Sequence, residues 1–181
     1  MGVDALIRRA VFLDRDGIIN SPCVRDGKPY APVTASEFVL CPDAPAIVHM
    51  LRAAGFELAV VTNQPEIARG TISPAALDAM HAIVRSELAI EHIFVCPHDD
   101  GDGCVCRKPK PGMILTAARQ LDVDLRASFM IGDRWRDVGA GRNAGCRTVL
   151  VDYGYDDPRS YEPDYRATSV GEAAEWVIAQ P

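Results

Sequence analysis

The sequence predicts an α/β fold in which a parallel central sheet is covered by helices on both faces. Three observations carry this. Short apolar, β-favouring runs recur along the chain, a segment of helical periodicity follows each, and several of the runs end in polar or charged side chains. Runs apolar at every position suit strands buried on both faces. With 181 residues and 48% hydrophobic content, the chain can fill one core, and a single domain over 1–181 is expected.

Ala10-Val11-Phe12-Leu13-Asp14 is the first strand, and it runs into Asp14-Arg15-Asp16-Gly17. Two aspartates one residue apart on a turn cannot face the same way, so one can attack or hold a metal while the other reaches a leaving group. The same residues also suit a plain turn. Residues 15 to 35 contain Asn20 and an Asp26-Gly27 pair between Val24 and Tyr30, which predicts a short hairpin or flap over the site. Asp43 is the expected cap of a helix that repeats Ile47, Met50, Leu51 and Ala54 and stops at Gly55. Leu58 to Val61 is the second strand, ending in Thr62-Asn63-Gln64. Ser73-Pro74 opens a helix with Leu77, Met80, Val84 and Leu88 on one side. His49 and His81 in these helices are surface or packing residues.

His92 to Val95 is the third strand, and a helix follows with Ile114, Ala117, Ala118 and Leu121. Ser128 to Ile131 is the fourth, followed by Gly132-Asp133-Arg134-Trp135-Arg136-Asp137 and a short helix stopping near Gly145. Arg147 to Val151 is the fifth. Beyond a polar loop from Asp156 to Pro163, Ser169 with Glu172 predicts a capping box for a last helix that packs Trp176 and Val177. The expected architecture is a Rossmann-like three-layer sandwich with no large cap domain. Ligands of such sheets bind beyond the carboxyl ends of the strands, at the switch point in strand order. Asp14, Asp16, Thr62, Asn63, Lys108 and Asp133 would collect there.

A formal charge of −6 and the absence of basic runs argue against a nucleic-acid surface, and small anionic ligands remain open. No apolar stretch is long enough to span a bilayer, and Met1 to Arg9 lacks the core of a secretory signal, so a cytoplasmic protein is expected. Of six cysteines, Cys96, Cys104 and Cys106 gather with His98 within eleven positions. Four such ligands suit a closed, structural Zn²⁺ site; reduced thiols beside a loop histidine are the alternative. The cluster ends one residue before Arg107, and a metal-pinned loop would hold Arg107 and Lys108 in place. Cys23, Cys41 and Cys146 are expected to be ordinary thiols.

The order Asp14-x-Asp16, Thr62, Lys108, then Gly132-Asp133-x-x-x-Asp137 resembles the haloacid dehalogenase superfamily of phosphohydrolases over nearly the whole chain. The resemblance implies that Asp14 is the nucleophile and shares one Mg²⁺ with Asp133 and the backbone carbonyl of Asp16. It implies that Asp16 is the general acid and base, and that Thr62 and Lys108 stabilise the phosphoryl oxygens. The Cys-x-Cys-Arg-Lys-Pro signature puts the cationic role on Lys108 rather than Lys110. Asp137 either orients Lys108 or the metal's waters, or simply starts a helix. Asn63, Arg107 and Arg134 are candidate substrate contacts, the arginines for a second anionic group, unless they pair with surface carboxylates.

Within the superfamily, Asp14-Arg15-Asp16-Gly17 with Asn20, Ala68-Arg69-Gly70 and the zinc-like loop resemble the small capless group of heptose bisphosphate and histidinol-phosphate phosphatases. Pro65-Glu66 and a short segment between His98 and Cys104 depart from the heptose pattern. The resemblance makes a Mg²⁺-dependent phosphatase of a sugar bisphosphate, heptose 1,7-bisphosphate first among them, acting as a monomer, the leading expectation. A phosphatase of histidinol phosphate or another small phosphomonoester is the alternative, and an inactive zinc-stabilised binding module the third reading.

Overall fold

The computed structural model describes residues 8–25, 28–157 and 160–181. Six parallel strands form the central sheet: β1 (Arg9–Leu13), β4 (Phe56–Asn63), β5 (His92–Cys96), β6 (Phe129–Gly132), β7 (Arg147–Val151) and β8 (Tyr165–Ala167). Their spatial order is β5-β4-β1-β6-β7-β8. Sequence order therefore runs outward from β1 in one direction and then, from β6, in the other. The crevice of such a doubly wound sheet opens where the order reverses, between β1 and β6.

Strand alternation sorts the core into two layers. Val11, Leu13, Val60 and Ile131 face α1 (Ala44–Ala53), α2 (Pro74–Leu88) and α5 (Val170–Ile178), whereas Phe12, Ala59, Val61 and Met130 face α3 (Gly112–Leu121) and α4 (Trp135–Ala144). Every one of these strand residues is at most 1% exposed, as strands covered on both faces require. Ser73 caps α2 as expected, its Oγ accepting the Ala76 N–H at 3.1 Å.

A two-stranded hairpin, β2 (Cys23–Arg25) with β3 (Lys28–Tyr30), rises between β1 and α1 and is the expected flap; the Asp26-Gly27 turn lies outside the described residues. No larger insertion stands over the sheet among the described residues.

Four expectations are corrected. β8 is a sixth strand where only five were expected, because three residues at a sheet edge carry no apolar run. Asp43 stands at the start of α1 but makes no capping hydrogen bond through its side chain. Val48 is buried on α1, whereas Met50 is 37% exposed. Ser169 does accept the Glu172 N–H, but Glu172 Oε2 reaches back to Thr168 N–H at 2.7 Å, one residue short of the capping box, while its Oε1 takes the Tyr165 hydroxyl at 2.6 Å.

Candidate active site

β1 and β6 are adjacent, so Asp14 and Asp133, each just past a strand end, emerge side by side at the crevice. Gly17 takes φ +87°, and a Cβ there would overlap the Asp133 carboxylate. Only glycine lets the turn close this tightly. Gly132 plays the same part for Asp137, whose side chain fills the space a Gly132 methyl would need.

Lys108 enters from the loop before α3 and is 3% exposed. Its ammonium has three protons and meets three acceptors: Asp14 Oδ1 at 2.7 Å, Asp137 Oδ1 at 2.5 Å and the Val61 carbonyl at 2.9 Å. Burial works against the charge, but the attraction of Asp137 and then Asp14 outweighs it and raises the Lys108 pKa above the ordinary lysine value. Asp137 Oδ2 accepts the Arg134 N–H at 3.0 Å, so this one side chain both orients Lys108 and starts α4.

Asp14 Oδ1 also accepts the Arg15 N–H at 2.8 Å, which fixes the carboxylate plane. Burial, then the charge of Asp137, pushes Asp14 up to about 7, and burial, then Asp14 and Asp137, raises Asp133 well above the ordinary carboxylate value. One ammonium among three carboxylates leaves the cluster short of positive charge. Oxygens of Asp14, Asp133 and Asp137 lie within 4.8 Å of one another, and Asp133 Oδ1 is buried without a hydrogen-bond partner among the described residues. A hard divalent cation such as Mg²⁺, which takes a few carboxylate oxygens and keeps several waters, fits this site. Because both Asp137 oxygens already have partners, Asp14 and Asp133 are the carboxylates available to it.

Asp16 leans away from this cluster onto a group the sequence did not flag. Arg15 has no exposed surface, and its Nη2 meets both Asp16 oxygens at 2.9 and 3.0 Å, with Nε at 3.2 Å. Gln64 accepts from Arg15 at 3.0 Å and donates to Asp16 Oδ2 at 2.9 Å and to Thr62 Oγ1 at 3.0 Å. Donation into Thr62 leaves the threonine proton free to point elsewhere. Behind Arg15, at 3.4 Å, is His81 Nε2; burial, then the Arg15 charge, holds His81 down to about 4, so at neutral pH the ring is uncharged and can accept. Strand alternation was the available signal: Arg15 follows Val11 and Leu13 onto the α2 side, and a buried arginine there must be paired.

Asn63 lies at the end of β4. Its Oδ1 accepts the Lys108 N–H at 3.0 Å and its Nδ2 donates to the Lys108 carbonyl at 3.2 Å, clasping the lysine backbone from both sides. The cleft above has a volume of ≈ 250 Å³. Asp14, Asp16, Asn63, Lys108 and Asp133 line it, with Tyr30 of the hairpin at one wall. Thr62 sits behind the wall, 1% exposed. Arg107 and Arg134 also line the cleft, but each is paired: Arg107 Nε with Asp100 at 2.8 Å, and Arg134 with Asp157 at 2.7 and 2.8 Å. Arg136, a lining residue missed in the sequence, shares Asp100 at 2.9 Å.

Cys96, His98, Cys104 and Cys106 converge beside this wall, with His98 Nδ1 3.3 Å from Cys106 Sγ and the Cys96–Cys104 sulfurs 3.7 Å apart. A tetrahedral Zn²⁺ bound at about 2.3 Å to sulfur and 2.0–2.1 Å to nitrogen has ligand edges near these lengths. Burial, then the Cys106 contact, pushes the Cys96 thiol up to about 12, so a thiolate there calls for a cation. Lys110 is turned from the cleft to the Cys104 carbonyl at 2.5 Å.

A family model described as HAD-hydrolase-like matches residues 105–173. A D-glycero-β-D-manno-heptose-1,7-bisphosphate 7-phosphatase of Pseudomonas aeruginosa is 41% identical over 153 residues, covering 81% of this chain and 83% of the relative. A D-glycero-α-D-manno-heptose-1,7-bisphosphate 7-phosphatase of Campylobacter jejuni is 35% identical, covering 79% and 81%. The crystal structure of a D,D-heptose 1,7-bisphosphate phosphatase from B. bronchiseptica, complexed with magnesium and phosphate, superposes with a TM-score of 0.77 at 30% identity, over 95% of this chain and 98% of that one.

Proposed function

This chain belongs to the haloacid-dehalogenase-like phosphatases, and from that premise we propose that it removes the 7-phosphate of D-glycero-β-D-manno-heptose 1,7-bisphosphate. The observation that carries the mechanism is the buried set of Asp14, Asp133 and Asp137 around Lys108, with an unpartnered Asp133 oxygen beside the nucleophile. Asp14 and Asp133, with the Asp16 carbonyl, are the residues that would hold Mg²⁺, which when bound offsets the charge of the phosphoryl group.

An Asp14 oxygen attacks phosphorus and the P–O bond to the sugar breaks. Asp16, in its acid form, gives its proton to the departing sugar oxygen. Its carboxylate then takes a proton from water, whose oxygen attacks the aspartyl-phosphate, freeing Asp14 and inorganic phosphate. Lys108 holds Asp14 in line, and the Thr62 hydroxyl donates to a phosphoryl oxygen. Arg107 and Arg134 take the remaining phosphate, exchanging Asp100 and Asp157 for it. Cys96, His98, Cys104 and Cys106 are the residues that would hold a structural Zn²⁺, which when bound anchors the Arg107-Lys108 segment.

Phosphate release from both heptose anomers, fructose 1,6-bisphosphate and histidinol phosphate, with Mg²⁺ present, tests this reading. A preference of at least about 100-fold for the β-anomer (roughly 2.7 kcal/mol of transition-state binding) is expected, with turnover abolished in Asp14→Asn. Comparable rates across the panel would overturn the heptose assignment. Turnover unchanged by Asp14→Asn would overturn the mechanism.

A further inference from the structure

Glu66 is out of place in a cleft walled by Arg107, Lys108, Arg134 and Arg136. Its Oε2 is buried and has no hydrogen-bond partner among the described residues. Its Oε1 lies 3.9 Å from Arg69, but that guanidinium is committed to Asp99 at 2.6 and 2.7 Å. The side chain is not there to build its own loop either. The backbone carbonyl does that, accepting the Thr71 N–H at 2.9 Å and the Ile72 N–H at 3.2 Å, and it would do so with any side chain. A buried carboxylate oxygen left unpaired is costly, and in a site for phosphates it also repels the ligand. The cost is recovered if the part of the substrate between its phosphates brings hydrogen-bond donors.

We propose that Glu66 is a specificity-determining residue whose cleft-lining carboxylate accepts hydrogen bonds from the hydroxyl groups of a polyhydroxylated leaving group. This deepens the phosphatase reading above and rests on it. The cations of the cleft read the two ends of the substrate, and Glu66 reads its middle. A site built around hydroxyl donors discriminates strongly against an analogue lacking them, because its buried acceptor is then left unpaired.

The test pairs each sugar with its hydroxyl-free counterpart of the same carbon count: heptose 1,7-bisphosphate with heptane-1,7-diol bisphosphate, and fructose 1,6-bisphosphate with hexane-1,6-diol bisphosphate. kcat/KM is measured for wild type, Glu66→Gln and Glu66→Ala. In Glu66→Ala the loss on the sugar is expected to exceed that on the diol by roughly 10- to 100-fold, as for a hydrogen bond to a charged group, and to appear mainly in KM. Glu66→Gln, still an acceptor, should lose less. Equal losses on sugar and diol would mean that Glu66 only supports the loop, and a wild type that does not favour the sugar in either pair also overturns the inference. If discrimination through Glu66 holds for fructose 1,6-bisphosphate while the heptose is not turned over, the heptose assignment falls and the role of Glu66 stands.

Discussion

Arg15 is the residue whose removal would say most about proton transfer. It meets both oxygens of Asp16 in a planar fork, with Gln64 and a neutral His81 satisfying its other edges, and lysine cannot reproduce that geometry. Arg15→Lys is expected to lower kcat for a sugar phosphate about 10- to 100-fold, within the range general acid–base catalysis supplies, with KM near the wild-type value. The loss should be several times smaller on p-nitrophenyl phosphate, whose phenolate departs without a proton. Equal losses on the two would reduce Arg15 to a structural role. Strand alternation signalled that Arg15 is buried and paired, but not with what. Its partners, Gln64 and His81, come from just past β4 and from α2 and meet Arg15 only in the fold.

Elements buried on both faces were the legible ones. β1, β4 and β6 are apolar at consecutive positions, and Asp14, Thr62 and Asp133 could be placed from where those runs stop. β8 was not legible, because an edge strand of Tyr165, Arg166 and Ala167 buries only the alanine and leans on the stacked pair of Tyr165 and Trp176, 5.1 Å between ring centres. The loop from Cys96 to Cys106 was readable in its ligand types and in its place beside Arg107 and Lys108, but not in the contact by which Arg107 ties the His98 carbonyl at 3.1 Å. With Zn²⁺ in the proposed Cys/His site, stripping it with a chelator and then restoring Mg²⁺ in excess should lower kcat about tenfold or more, since small displacements of catalytic groups are that costly. Amide exchange over residues 96–112 should rise, and added Zn²⁺ should reverse both. Full activity after verified zinc loss would remove the loop from the catalytic assembly.

Across the whole molecule, His81 links the core to the solution pH. Held at about 4 in the folded chain and free to titrate at 6.5 once unfolded, it binds fewer protons folded than unfolded between those values. Its contribution to stability is complete above pH 6.5 and is lost as the pH falls toward 4. Urea unfolding at pH 7 and pH 5 should differ by a share of order 2 kcal/mol from this group, and His81→Asn should flatten the difference by about that amount. An unaltered pH dependence would place the ring's ionisation elsewhere. The Asn63 clasp has a bearing on how such a protein could be remade. By gripping both the N–H and the carbonyl of Lys108, a strand-end side chain extends the hydrogen-bond ladder by one rung onto a loop. Residues 99–103 run between two members of the Cys/His cluster, His98 and Cys104, and the rung fixes Lys108 beyond them. Loop grafts of different length could therefore be exchanged at 99–103 to retune which sugars enter, with the lysine left in register.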